Sequence, residues 1–200
     1  MKKVKYIIFR YLTSADFFNI YKPSGTEEKG GGQAYIDFPT KAISVAEWGR
    51  FFDGAESVFC DTGKQGPSWD FPVKSIGLET EQDIRVYQRR EQSVCIAAQR
   101  ITSQQENRVH AWRPEAGFPK PTNPSERSVV PKNLMIYIVR TVDDEFWAGW
   151  SLKISLEAEN VKNLLKELVD NSKGEGGAGF LELRGKVSID TKNAKQPFSA

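Results

Sequence analysis

Between Thr102 and Arg108 the chain carries Gln104, Gln105, Glu106, Asn107 and Arg108 in unbroken succession. These are the side chains whose donors and acceptors match base edges in the DNA major groove. An arginine fork pairs with guanine, glutamine or asparagine with adenine, and a carboxylate accepts from the amino group of cytosine. Glycine and proline, the usual residues of a passive tight turn, are missing from the run. Polar loop tips are common and carry function only sometimes, so the meaning of this one depends on its surroundings.

Other chemistries have less behind them. Cys60, Cys95 and His110 make three ligands where a structural zinc site takes four, and no metal site is expected. Nothing sets either cysteine beside His110 at an activating helix terminus, so both read as reduced thiols rather than nucleophiles. Glu27-Glu28-Lys29 and Asp190-Thr191-Lys192 have the crude carboxylate-x-lysine spacing of metal-dependent nucleases. The first sits in a glycine-rich loop and the second in a tail, without the strand context that fixes a cation. No catalytic residue is assigned. Lys29-Gly30-Gly31-Gly32-Gln33 bares the backbone in a way that suits close approach to a phosphate, or equally a flexible linker. It lacks the Gly-Lys-Ser/Thr ending and following helix of a nucleotide-binding loop.

The elements that must position these residues follow from the hydrophobic pattern. Val94 to Ala98 is continuously apolar and Val109 onward is β-forming, so Thr102 to Arg108 is expected at the tip of a projecting hairpin. Tyr6 to Tyr11 should be the first strand, followed by a long polar loop from Thr13 to Gln33. Ala34 to Phe38 reads as a strand stopped by Pro39. Ser44 and Glu47 have capping-box spacing, with Ile43 and Trp48 placed as a hydrophobic staple and Gly54 as the stop. Ser57 to Trp69 reads as loop. Strands are then expected over Phe71–Ile76, Ile84–Arg89 and Ser93–Ala98, and Ile84 and Val86 should face opposite to Arg85. The five prolines between Pro114 and Pro131 imply an irregular excursion.

Leu134 to Val139 is the most strand-like run, turned at Asp143-Asp144 and returned by Phe146 to Trp150. An amphipathic helix is expected from Leu156 to Asn171, its stripe of Val161, Leu164, Leu165, Leu168 and Val169 facing the core. Residues 174–200 read as a glycine-rich linker and tail. They could lead to a further domain, or pack back as a strand through Phe180 to Leu183. The chain is mainly β with two or more helices, its body spanning residues 1–173.

The chain has 200 residues, ample for a real core, and a formal net charge of +2. That charge is unevenly spread. From Arg85 to Arg140 there are ten basic residues against four acidic ones, an excess of +6 that leaves −4 for the remainder. Such concentration is the footprint of a phosphate-contacting surface. No run approaches a membrane-spanning length and the start does not read as a signal peptide, so a cytoplasmic protein without a membrane partner is expected.

Four stretches, in order, resemble the N-terminal effector DNA-binding domain of EcoRII-type restriction endonucleases. They are Arg10-Tyr-Leu-Thr-Ser-Ala-Asp16; Gly30-Gly-Gly-Gln33 before Ala34 to Pro39; Gln105-Glu-Asn-Arg108 followed by Trp112; and Leu134 to Val139 with its return strand and helix. That family has a DNA-binding pseudobarrel, an open β-barrel flanked by helices, shared with the plant B-three transcription factors. The resemblance implies two arms gripping the major groove. Here the N-arm corresponds to Arg10 through Gln33 and the C-arm to Thr102 through Arg108. Gln104, Gln105, Glu106, Asn107 and Arg108 then read bases. The expected backbone and arm contacts are Arg10, Tyr11, Ser14, Lys22, Lys29, Gly31, Gly32, Gln33, Arg100, Thr102, Ser103 and Arg113. Thr102 and Gln104 stand where the family has basic residues, and Tyr11 where it has arginine.

The implied function is sequence-specific binding of double-stranded DNA, with a target of the CC(A/T)GG type, feeding recognition to a nuclease domain of the same or a longer chain. The isolated domain is expected to be monomeric and to need no cofactor for DNA binding, with Mg2+ required only by a nuclease domain. Two other readings compete: a magnesium-dependent nuclease in its own right, and a β-rich protein-interaction domain using the proline-rich stretch from Pro114 to Pro131.

Overall fold

In the computed structural model, which describes residues 1–21, 35–53, 57–61, 64–98, 112, 117–120, 130–171 and 176–200, strands dominate. They are β1 (Lys2–Tyr11), β2 (Ile36–Pro39), β3 (Ser57–Asp61), β4 (Lys64–Ser75), β5 (Glu81–Arg90), β6 (Ser93–Ala98), β7 (Leu134–Thr141), β8 (Phe146–Leu152), β9 (Ala178–Glu182), β10 (Ser188–Ile189) and β11 (Phe198–Ser199). The α-helices are α1 (Ser14–Tyr21), α2 (Val45–Phe52), α3 (Glu159–Lys162) and α4 (Lys166–Asp170), with a 3-10 turn at Lys153–Leu156. Among the described residues no helix is long and apolar enough to cross a membrane.

The strands form one mixed sheet along the path β11-β10-β1-β7-β8-β4-β5-β6-β2, with β9 beside β1 and β3 beside β4. Among the described residues that path is not closed into a ring. Among the described residues every pairing is antiparallel except the short β4–β8 contact at Lys74 and Ser75. β7 is buried along its whole length because it faces a core on each side. Leu134, Ile136 and Ile138 join the first core with Ile8, α2 and strands β2, β4, β5 and β6. Met135, Tyr137 and Val139 join the second with Leu156, Leu165, Leu168 and the C-terminal strands. A register shift in β1 between Val4 and Tyr6 lets both Val4 and Ile7 face the second core, although they are three residues apart.

Several local expectations hold. Ser44 caps α2 in a full capping box, its amide donating to Glu47 Oε2 at 2.7 Å, and Ile43 and Trp48 are fully buried. The β7–β8 hairpin turns at Asp144, whose φ is 60°. Ile84 and Val86 are buried while Arg85 faces outward onto Asp70.

Others are corrected. The stretch from Thr13 opens with α1 instead of a loop, because Thr13 and Asp16 form a reciprocal cap. Within Ser57 to Trp69, expected as loop, β3 pairs antiparallel with β4, and Pro67 lies opposite Val58. Asp53, in the left-handed region at φ 45°, closes α2; Gly54 lies outside the described residues. The span from Leu156 to Asn171 holds two short helices parted by a turn, in which the Leu164 amide bonds the Val161 carbonyl. Its apolar stripe is nevertheless in the second core. From residue 176 on, the outcome is one of the two alternatives left open, the strand that packs back: β9 pairs with Tyr6 to Arg10 of β1, and Leu181, Leu183, Val187 and Ile189 are core residues.

Gly149 on β8 faces the Tyr137 ring, and a Cβ there would lie 2.6 Å from Tyr137 Cζ. Gly149→Ala is therefore expected to destabilise by about 1–3 kcal/mol in urea unfolding through overpacking, and a neutral effect would show that the ring has room to move. Glu145 accepts from Lys2 and from the Trp147 indole, and these bonds hold its carboxyl below the ordinary carboxylate range. A group with a lowered folded pKa stabilises above its unfolded pKa, and that contribution disappears as pH falls through the folded value. Glu145→Gln should thus destabilise at neutral pH and converge with the unaltered chain in acid; a difference unchanged by pH would contradict this role.

Candidate nucleic-acid interface

β2 and β6 pair antiparallel, with Ile36 opposite Ile96 and Phe38 opposite Val94. The chain enters β2 from residues 22–34 and leaves β6 into residues 99–111. Antiparallel pairing puts the first residue of one strand beside the last of the other, so both excursions are rooted at one end of the same strand pair. β5 supports that end from the far side, with Ile84 opposite Ala98. The pleat sends Ile36, Phe38, Val94, Ile96, Ile84 and Val86 into the first core and turns Asp37, Cys95 and Tyr87 the other way.

The outgoing root of the first excursion is α1. Asp16 Oδ2 accepts from the Thr13 amide at 3.0 Å, from Thr13 Oγ1 at 2.9 Å and from Arg10 Nε at 2.9 Å. The Arg10 guanidinium also lies 5.8 Å from the centre of the Phe38 ring on β2. Arg10, expected on the DNA backbone, is only 7% exposed and turns its charge inward. Tyr11 is 2% exposed, and its hydroxyl donates to the Leu168 carbonyl, tying β1 to α4. Burial pushes its phenol up to about 12. Neither Arg10 nor Tyr11 presents a polar group to a duplex. Ser14 is half-buried at the first position of α1. Lys22, Lys29, Gly31, Gly32 and Gln33 lie outside the described residues, as do Glu27 and Glu28.

Of the second excursion, Arg100, Thr102, Ser103, Gln104, Gln105, Glu106, Asn107, Arg108 and Arg113 lie outside the described residues, and so does His110. Trp112, where the chain returns, is buried and donates its indole N–H to the Gly149 carbonyl at 2.7 Å. Farther on, Phe118 meets Trp150 edge-on at 5.9 Å and Phe17 of α1 at 6.2 Å. These rings connect the helix that begins the first excursion with the segment that follows the second. Nothing in the base-reading pattern pointed to Asp16, Phe38 or Phe118. Only Asp16 carried a signal, the Thr13-x-x-Asp16 capping spacing.

The charge footprint is partly internal. Arg85 holds Asp70 through two bonds of 2.6 and 2.7 Å. Arg140, buried, holds Asp144 and donates to the Phe51 carbonyl at the end of α2. Both lie in the basic segment, but their carboxylates lie outside it, so the effective excess is smaller than the count of residues. Arg89 instead lies over the Tyr35 ring at 4.4 Å, where the chain enters β2.

Cys95 is a free, buried thiol that donates to Asp37 at 2.7 Å. Burial first, and Asp37 second, push it well above the usual thiol range, so it is protonated and not a nucleophile. Asp190 uses a carboxylate oxygen to accept from the Lys192 amide within a turn. Among the described residues no three acidic, histidine or cysteine side chains are grouped as metal ligands.

No protein-family profile matches this chain, and no curated protein matches its sequence. Trp112→Phe, which keeps the ring and removes the donor, should cost about 1 kcal/mol in urea unfolding; an unchanged midpoint would mean that ring packing alone anchors the return.

Proposed function

We propose that this chain is a sequence-specific double-stranded DNA-binding module, a pseudobarrel of the EcoRII-type effector class that addresses the major groove with two arms. The observation that carries the reading is the shared root. Residues 22–34 and 99–111 attach at the same end of the β2–β6 pair. Neighbouring strands lie about 5 Å apart, well within the roughly 12 Å width of the major groove. Two segments starting there are able to enter one groove together.

In this reading Arg108 and Glu106 read base edges, assisted by Gln104, Gln105 and Asn107. Arg100, Arg113 and the glycine-rich stretch hold phosphates, and Arg89 adds charge at the root. Recognition of a CC(A/T)GG-type site would be passed to a nuclease domain, which brings its own Mg2+, in the cytoplasm. Arg10 and Tyr11 have no direct contact in this scheme. Selection of bound duplexes from a random pool should converge on one short sequence. Arg108→Ala should then cost about 1–3 kcal/mol on the selected site and far less on an unselected duplex. Equal losses on both would move Arg108 from base reading to backbone contact.

A further inference from the structure

The Arg10 guanidinium sits between the two feet of the first excursion. Its Nε donates to Asp16 on the outgoing helix α1 at 2.9 Å, and its charged carbon lies 5.8 Å from the Phe38 ring on the returning strand β2. Both side chains of the ion pair are 8% exposed. Asp16 is in turn held by the amide and hydroxyl of Thr13, the residue before α1. Among the described residues these are the groups through which β1, whose neighbouring residues Ile7 to Phe9 and Tyr11 are buried in the two cores, touches both feet by a charged side chain. A buried pair of this kind adds little net stability against an apolar replacement, but it is directional and strongly penalises loss of one partner.

We infer that Arg10 and Asp16 are positioning residues for duplex binding: acting through each other, they hold α1 and β2, the two elements that flank residues 22–34, at a fixed angle to one another. This deepens the DNA-binding reading and rests on it. It makes a prediction opposite in sign to that for a phosphate contact. Were Arg10 to touch DNA, Asp16 would be a competitor for its charge, and removing the carboxylate would strengthen binding. As a clamp, the pair fails when either partner is lost.

The test measures Kd and the active fraction of the full chain on a mixed-sequence duplex across a salt series, for Arg10→Met, Arg10→Lys, Asp16→Asn and the Arg10→Met/Asp16→Asn double variant. Arg10→Met and Asp16→Asn should each weaken binding about tenfold, the factor that corresponds to about 1.4 kcal/mol. The double variant should lose no more than the worse single one, and Arg10→Lys should recover part of the loss. The active fraction and the slope of log K against log salt should stay as in the unaltered chain. A general folding defect would lower the active fraction and leave Kd alone, which would overturn the inference. So would tighter binding by Asp16→Asn, unchanged affinity in both single variants, or a slope reduced by about 0.9 in Arg10→Met, the signature of one lost phosphate contact. If Arg10→Met does not fold, Thr13→Ala, which removes both hydroxyl bonds to Asp16 and leaves the amide bond, should weaken binding in the same salt-independent way, and an unchanged Kd there overturns the inference. Absence of any duplex binding by the unaltered chain would overturn the DNA-binding reading itself and remove the positioning role with it.

Discussion

Burial on both faces of β7, and of β1 from Ile7 to Tyr11, is the constraint from which the rest follows. A strand between two cores has no solvent side, so each residue along it must satisfy one core or the other. At the end of β1 the alternation gives Arg10 to the side of α1 and β2, and Tyr11 to the side of α4. Two polar residues that look like an exposed pair in the sequence thus become opposite internal ties. The same alternation fixes where the chain can leave: α1 begins where β1 ends, and β2 returns beneath the Arg10 guanidinium.

In the proposed DNA-binding reading, what this frame supplies is a fixed pair of roots. β2 and β6 are joined by ladder bonds and backed by β5. Trp112 fastens the return of the second excursion to β8, and Phe118 bridges Phe17 and Trp150. Reading a base edge demands placement within a fraction of an ångström, and groups mounted on rigid elements meet that demand better than groups mounted on other loops. Local concentration of basic residues is a poorer guide than it looks here. Arg10, Arg85 and Arg140 are all engaged with carboxylates of the protein itself.

The sequence disclosed elements whose information is local. The capping box of α2 involves Ser44 and Glu47 three residues apart, and β7 declares itself as an uninterrupted apolar run. It concealed elements whose stability is supplied from elsewhere. Gly66 and Pro67 look like punctuation, yet they sit inside β4 because β3 and β5 line its two sides, and a Cβ on Gly66 would come within 3.0 Å of the Gln88 carbonyl. The segment after residue 176 left a linker and a returning strand both open, because its glycines precede only a few apolar residues. Its partner is the N-terminal strand, far away in sequence. Asp16 was the one hidden site residue with a local mark, since its spacing from Thr13 is itself a helix-start signal. The fate of Arg10 had none, because only the folded chain puts Phe38 and Asp16 on either side of it.

The central claim is that one end of the β2–β6 pair faces DNA. Backbone amide resonances of the full chain, followed as a mixed-sequence duplex is added, test it most directly. The account predicts shifts concentrated at α1, at Tyr35 and Ile36, at Ala97 and Ala98 and at Trp112, with β9, β10 and β11 unmoved. Shifts centred on the C-terminal strands, or no change at any duplex concentration, would contradict it.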